Sequence, residues 1–253
     1  TIYTQPLLLT VSYAMWQTLK YECNFDVTIA AGHSLGEYSA LVANESITFE
    51  DGLLLVKKRA ELMSAAMENI DGTMAAVIGL DGSLVDEICV QSSKNDEIVE
   101  AVNFNCPGQT VIAGHLLAVD KIIPKLKEAG AKIIKKLPVS LAAHTSLLKP
   151  VAEQLKTQLQ KIKFNKGMFD IVHNYDLSVH KENEELHKVL SLQVCSPVQW
   201  IGTLEKFKTK NITDVIEVGP GNVLSGLVKR CDKSISLHST KSIDDIKMIA
   251  QAL

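Results

Sequence analysis

Between Thr73 and Leu137 the hydrophobic rhythm of the chain changes in a fixed order, and that order limits the folds open to it. Short runs, most of them largely apolar and bounded by turn or helix signals, read as strands over Thr73 to Leu80, Ile98 to Phe104, Thr110 to Ala113 and Lys132 to Leu137. Helical spacing predicts Leu84 to Gln91 and Leu117 to Ala129, and Asn105-Cys106-Pro107-Gly108 supplies a turn between the two middle strands. The order β-α-β-β-α-β is that of the ferredoxin-like split unit. On either side strand-like and helix-like segments also alternate: helices from Pro6 to about Lys20, Leu35 to Asn44 and Glu50 to Met67 surround a short strand, Val27 to Ala31. After Pro138 come a helix from Ser146 to about Gln160, a strand near Phe169 to His173, a helix near Trp200 to Lys208 and the strand Asp214 to Val218. A Gly-Pro-Gly turn into another helix follows. An α/β architecture is therefore expected.

Composition narrows the function classes. Hydrophobic residues make up 46% and charged residues 22% of the 253, as in a globular domain rather than a disordered one. Apolar stretches such as Pro6 to Trp16 are too short to cross a bilayer, and no secretory leader pattern opens the sequence, so a soluble, cytoplasmic protein with no membrane partner is expected. The five cysteines are odd in number and scattered without C-x-x-C spacing, which suggests reduced thiols and neither disulfides nor a metal site. A net charge of -3 gives no general drive toward nucleic acid.

Gly32-His33-Ser34-Leu35-Gly36 fits the G-x-S-x-G nucleophile elbow and lies between an expected strand and an expected helix, the context that motif needs. The glycines permit a tight turn that lifts a serine oxygen clear of the sheet, and the following helix offers free N–H groups to developing negative charge. An ordinary glycine-rich strand-to-helix turn is the competing reading. A serine nucleophile needs a base, and seven histidines are available. In hydrolase order the base comes late, which would select His238 with Asp214 or Glu217; His144 stands instead among small residues where the chain leaves the split unit.

Arg59 is the other unusual residue. On the helix from Glu50 to Met67 it falls inside the apolar stripe of Val56, Ala60, Met63 and Met67, whereas Lys57 and Lys58 point away. A guanidinium there suits bidentate capture of a carboxylate, or packs its stem and pairs with an acidic neighbour. Glu217-Val218-Gly219-Pro220-Gly221 reads as a structural turn more readily than as a phosphate cradle, and Lys132, Lys135 and Lys136 as a solvated strand face or a docking patch.

Taken together the segments resemble the malonyl-CoA:acyl carrier protein transacylase family, which includes the acyltransferase domains of fatty acid and polyketide synthases. The resemblance is carried by Thr4-Gln5-Pro6, the decamer from Gly32 to Leu41, Arg59, Met74-Ala75-Ala76-Val77, Asn103 to Gln109, His144, Ser196-Pro197-Val198-Gln199-Trp200 and Glu217 to Gly221. It implies an α/β-hydrolase-like core, 1–70 and 140–253, with a ferredoxin-like subdomain inserted at 71–139. It implies Ser34 as nucleophile, His144 as general base, Arg59 as the clamp on the malonyl carboxylate and the Leu35 N–H as an oxyanion donor. The histidine would be oriented by a backbone carbonyl, matched to Gln199. Substrates would be malonyl-CoA and phosphopantetheinylated acyl carrier protein, with no cofactor. A serine esterase or thioesterase, and a non-catalytic acyl-binding docking domain, are the alternatives. Two departures stand out. The family's opening strand and glutamine loop, which complete its oxyanion hole, have no counterpart in this sequence. Ser140-Leu141-Ala142-Ala143 matches neither common polyketide selectivity signature, so extender choice is expected to rest mainly on Arg59.

Overall fold

A computed structural model describes residues 1–252. In chain order its elements are α1 (Thr4–Glu22), β1 (Ile29–Ala31), α2 (Gly36–Ala43), α3 (Phe49–Ala65), β2 (Gly72–Ile78), α4 (Gly82–Ser92), β3 (Val99–Cys106), β4 (Gln109–His115) and α5 (Leu116–Glu128). They continue with β5 (Ile133–Lys136), α6 (Lys149–Leu159), β6 (Asp170–Val172), α7 (Asn183–Gln193), α8 (Trp200–Thr209), β7 (Asp214–Glu217), α9 (Val223–Cys231), β8 (Ser236–Ser239) and α10 (Ile243–Ala252).

The central segment forms an antiparallel sheet in the order β3-β4-β2-β5. Alternation along β2 sends Ala75 and Val77 to one face, where they pack with Val85 and Cys89 of α4 and Val119, Ile122 and Leu126 of α5. Met74, on the opposite face, joins Val102, Val111 and Ala113 in the cluster that contains α2, α3, α6 and α7. The sheet is thus covered on both sides, by its own helices and by the main body. A parallel bridge between Asn103 and Val198 fastens it further, with Phe104 N–H donating to the Val198 carbonyl at 3.0 Å and Val198 N–H to Val102 at 2.8 Å.

In the main body β1 pairs in parallel with β6, in register Ile29 with Asp170, and β7 pairs in parallel with β8. Between β1 and β7 lies an apolar slot of about 290 Å³, bordered by Tyr13, Trp16 and Leu19 of α1 and by Trp200 and Phe207 of α8.

Two helix starts follow local chemistry. Thr48 caps α3 by accepting the Asp51 N–H at 3.0 Å. The helix expected from Ser146 begins with a short 3-10 turn, and α6 proper starts at Lys149, with Pro150 in the first turn where its missing N–H costs nothing. Three elements were not foreseen: α7, β8 and α10. The signal for α7 was present, since Leu186, Val189, Leu190 and Val194 repeat at helical spacing after Glu184 and Glu185 in the first turn.

Candidate active site

Ser34 sits between β1 and α2 with φ of 54°, in the left-handed region that non-glycine residues adopt at a cost of order 1–3 kcal/mol. Neighbours hold it there. Asn174 accepts the Ser34 N–H at 2.8 Å and donates its Nδ2 to the Gly32 carbonyl at 2.7 Å, closing the turn from both sides. The Ser34 carbonyl accepts Gln193 Nε2 at 2.9 Å and the Glu37 N–H at 3.1 Å. Gly32 is required by packing: a Cβ there would lie 1.9 Å from the Gly36 carbonyl carbon. Leu35 stands as the N-cap of α2, and its N–H donates to no acceptor among the described residues, so it is free to serve an oxygen placed above the turn.

His144 Nε2 is 2.7 Å from Ser34 Oγ. The histidine is 3% exposed, has a positive φ of 65°, and donates Nδ1–H to the backbone carbonyl of Gln193 at 2.8 Å. That bond fixes the tautomer in which Nε2 carries the lone pair, the form needed to accept a hydroxyl proton. Burial, and then the nearby Arg59 charge, push the His144 pKa down to about 3, so the ring is neutral at physiological pH.

The orienting carbonyl belongs to Gln193 and not to Gln199. Gln199 caps α8, and its carbonyl accepts Thr203 N–H at 2.9 Å and Thr203 Oγ1 at 3.1 Å. Gln193 is the last residue of α7, where carbonyls have no intrahelical partner and can accept from outside the helix.

Arg59 is 1% exposed. Nη1 donates to Gln5 Oε1 at 2.6 Å, and Nη2 donates to Gln193 Oε1 at 3.0 Å and to Ser34 Oγ at 3.2 Å. The guanidinium lies 5.5 Å from the centre of the Tyr38 ring, its Nε has no partner, and no carboxylate among the described residues pairs with it. A buried cation beside a nucleophile, satisfied only by neutral oxygens, is a site prepared for an anion.

The other histidines are occupied elsewhere. His33 Nε2 meets Asn105 Oδ1 at 2.9 Å, His173 Nδ1 donates to Glu37 at 2.5 Å, and His180 pairs with Asp176 at 2.7 Å. His238 lies 3.6 Å from Asp214 across the β7–β8 pair, and Glu217 accepts the Leu224 and Ser225 N–H groups that start α9. The late-base order is therefore not realised, and the Gly219–Gly221 turn serves a capped helix. No thiol competes with Ser34: burial pushes Cys89 up to about 12 and Cys231 up to about 11. Among the described residues no group of three or more His, Cys, Asp or Glu is placed to hold a metal, and no helix is long and apolar enough to cross a membrane.

Sequence reasoning had given no role to Gln5, Glu37, Asn174 or Gln193. Gln5 and Glu37 lay within quoted motifs, whereas Asn174 and Gln193 reach the elbow from 140 and 159 residues away in the chain.

A clamped, strained serine paired with a neutral histidine on an α/β fold defines a serine-nucleophile enzyme of the acyl-transfer and hydrolase class. The chain belongs to the acyl transferase domain family, whose pattern matches residues 1–249. It is 40% identical to the malonyl CoA-acyl carrier protein transacylase of Staphylococcus aureus over 244 residues, covering 96% of this chain and 78% of that protein. The enzyme of the same description from Haemophilus influenzae is 39% identical, over 99% of this chain and 80% of that one. The transacylase structure from Coxiella burnetii superposes with a TM-score of 0.96 at 34% identity, covering all of this chain and 80% of that one. A malonyl-transacylase solved in complex with its type II polyketide acyl-carrier protein gives 0.97 at 36%, covering all of this chain and 82% of that one.

Proposed function

We propose that the chain transfers a malonyl group from coenzyme A to the phosphopantetheine thiol of acyl carrier protein through a malonyl ester on Ser34, in fatty acid or polyketide synthesis. The observation that carries the reading is Arg59: a buried guanidinium without a carboxylate partner, 3.2 Å from the nucleophile oxygen. A malonyl group esterified to Ser34 places its free carboxylate one methylene from the ester carbonyl, within reach of that cation, whereas an acetyl group leaves the cation unanswered.

In the first half-reaction His144 Nε2 takes the Ser34 proton as Oγ attacks the thioester carbon. The oxyanion forms against the Leu35 N–H at the positive end of α2. Collapse expels the coenzyme A thiolate, which receives the proton from His144. Once Oγ is an ester oxygen it is a poorer acceptor, and Arg59 Nη2 is released toward the carboxylate. In the second half-reaction His144 deprotonates the carrier thiol, which attacks the ester and regenerates Ser34. Every step uses groups of the chain and its two substrates.

The division into a core of 1–70 and 140–253 and an inserted subdomain of 71–139 is proposed with this reading, supported by the continuous four-stranded sheet inside the second segment. A cytoplasmic setting is proposed as well, supported by the free state of all five cysteines.

Incubation with malonyl-CoA followed by intact-mass measurement, then addition of carrier protein, tests the function. A single malonyl adduct, absent in Ser34→Ala and discharged onto the carrier, is the expected result. An adduct lost to water at the same rate with or without carrier would assign an esterase, and no adduct a docking domain.

A further inference from the structure

Below the nucleophile lies a second buried charge that the reaction does not use. Glu37 is fully buried. Its Oε1 accepts His173 Nδ1–H at 2.5 Å, and its Oε2 accepts Gln193 Nε2 at 2.7 Å and the Asn174 N–H at 3.2 Å. Glu37 and Arg59, opposite charges in a water-poor interior, are both bonded to the same side-chain amide and make no salt bridge with each other. Direct contact would be the strongest interaction open to either group.

The amide of Gln193 has only one orientation that satisfies its surroundings. Nε2 faces two groups that only accept, the Glu37 carboxylate and the Ser34 carbonyl, and Oε1 faces a guanidinium that only donates. A flipped amide would set oxygen against carboxylate and N–H against cation. Glu37 therefore fixes the direction of the amide, and the amide fixes Arg59.

We propose that Gln193 is a specificity-positioning residue whose side-chain amide, oriented by Glu37, spaces Arg59 away from that carboxylate and so keeps the guanidinium available for the carboxylate of the acyl group. Without the spacer the two buried charges close on each other, and the enzyme loses its preference for a charged acyl chain while keeping its nucleophile. The inference rests on the malonyl-transfer reading. It is separate from the role of the Gln193 backbone carbonyl on His144, which any side chain at 193 retains.

The test uses Gln193→Met, which keeps length and removes both polar ends, and the double variant Gln193→Met with Glu37→Gln, which also removes the competing carboxylate. The readout is the ratio of Ser34 acylation rates with malonyl-CoA and acetyl-CoA on one preparation. Both rates come from the same folded molecules, so partial unfolding and any disturbance of His144 cancel in the ratio. The expected result is a fall of at least about tenfold in Gln193→Met and recovery of most of that loss in the double variant. An unchanged ratio in Gln193→Met, or a fall that the double variant does not reverse, would overturn the spacer. Failure of the unsubstituted protein to form any malonyl adduct would instead overturn the transacylase reading and this inference with it.

Discussion

The backbone carbonyl of Gln193 stands 2.8 Å from Nδ1 of His144 and does the orienting that a carboxylate performs in the Ser-His-Asp arrangement. A neutral partner changes the electrostatics. A carboxylate there would stabilise imidazolium, whereas a carbonyl inside a buried site that also holds Arg59 leaves the ring neutral over a wide pH range.

The first prediction separates the two histidines that the sequence offered as bases. His144→Ala should slow Ser34 acylation by about 10²–10⁴, the contribution of a positioned general base. His238→Ala removes a part-exposed ring paired with Asp214 and should leave acylation within about twofold. Single-turnover mass spectrometry with malonyl-CoA measures both, and the opposite ranking would place the base at the β7–β8 pair.

How much of this could be read in advance depended on whether the chemistry was local. The elbow was legible because Gly32 to Gly36 carries its own turn geometry, and the strands of the β3-β4-β2-β5 sheet because a sheet covered on both faces is built from short apolar runs set between turns and helices. Arg59 was legible because a charge inside an apolar helical stripe contradicts the periodicity around it. The orienting carbonyl was misplaced by six residues, from Gln193 to Gln199. Both glutamines flank one short connection, and only the end of α7, itself overlooked, shows which carbonyl is left free of helix bonds. Asn174 gave no local signal: its job is to bind a turn encoded 140 residues earlier.

Arg59 should govern the choice of acyl group. Arg59→Ala leaves a malonyl carboxylate desolvated and unpaired, which costs of the order of 2–5 kcal/mol in discrimination. Malonyl acylation should fall steeply and acetyl acylation much less, measured as the ratio of kcat/KM for the two thioesters. An unchanged ratio would make the guanidinium a structural cation.

The clamp on the elbow should be visible in stability as well as rate. Asn174 is fully buried and satisfies Ser34 N–H and the Gly32 carbonyl, so Asn174→Ala strands one buried and one part-buried backbone group. At about 1–3 kcal/mol for each, the denaturation midpoint should drop clearly. Ser34 would also be freed from its left-handed conformation, and acylation per folded molecule should fall too. Asn174→Asp, which can still accept from Ser34 but cannot donate to Gly32, should lie between the two.

The last prediction concerns pH. The folded pKa of His144, about 3, lies below its ordinary 6.5, so between these values the unfolded chain binds the extra proton. The sign follows: the contribution to stability is fully present above about pH 6.5 and is lost as pH falls toward 3, amounting to roughly 4–5 kcal/mol over the window. Denaturant titrations at pH 7 and pH 4.5 should differ in this direction, and His144→Phe should reduce the difference, leaving the part due to His33, whose pKa burial also lowers. The same shift means that acylation by acetyl-CoA, whose acyl group carries no charge, should show no acid limb near the ordinary histidine value. Because the Arg59 charge is the second cause of the depression after burial, Arg59→Ala should raise the His144 pKa without restoring it fully. The acid limb for acetyl transfer in that variant should then move upward in pH. A limb that stays in place would mean that burial alone sets the protonation state of the base, and that Arg59 acts on the acyl carboxylate without acting on His144.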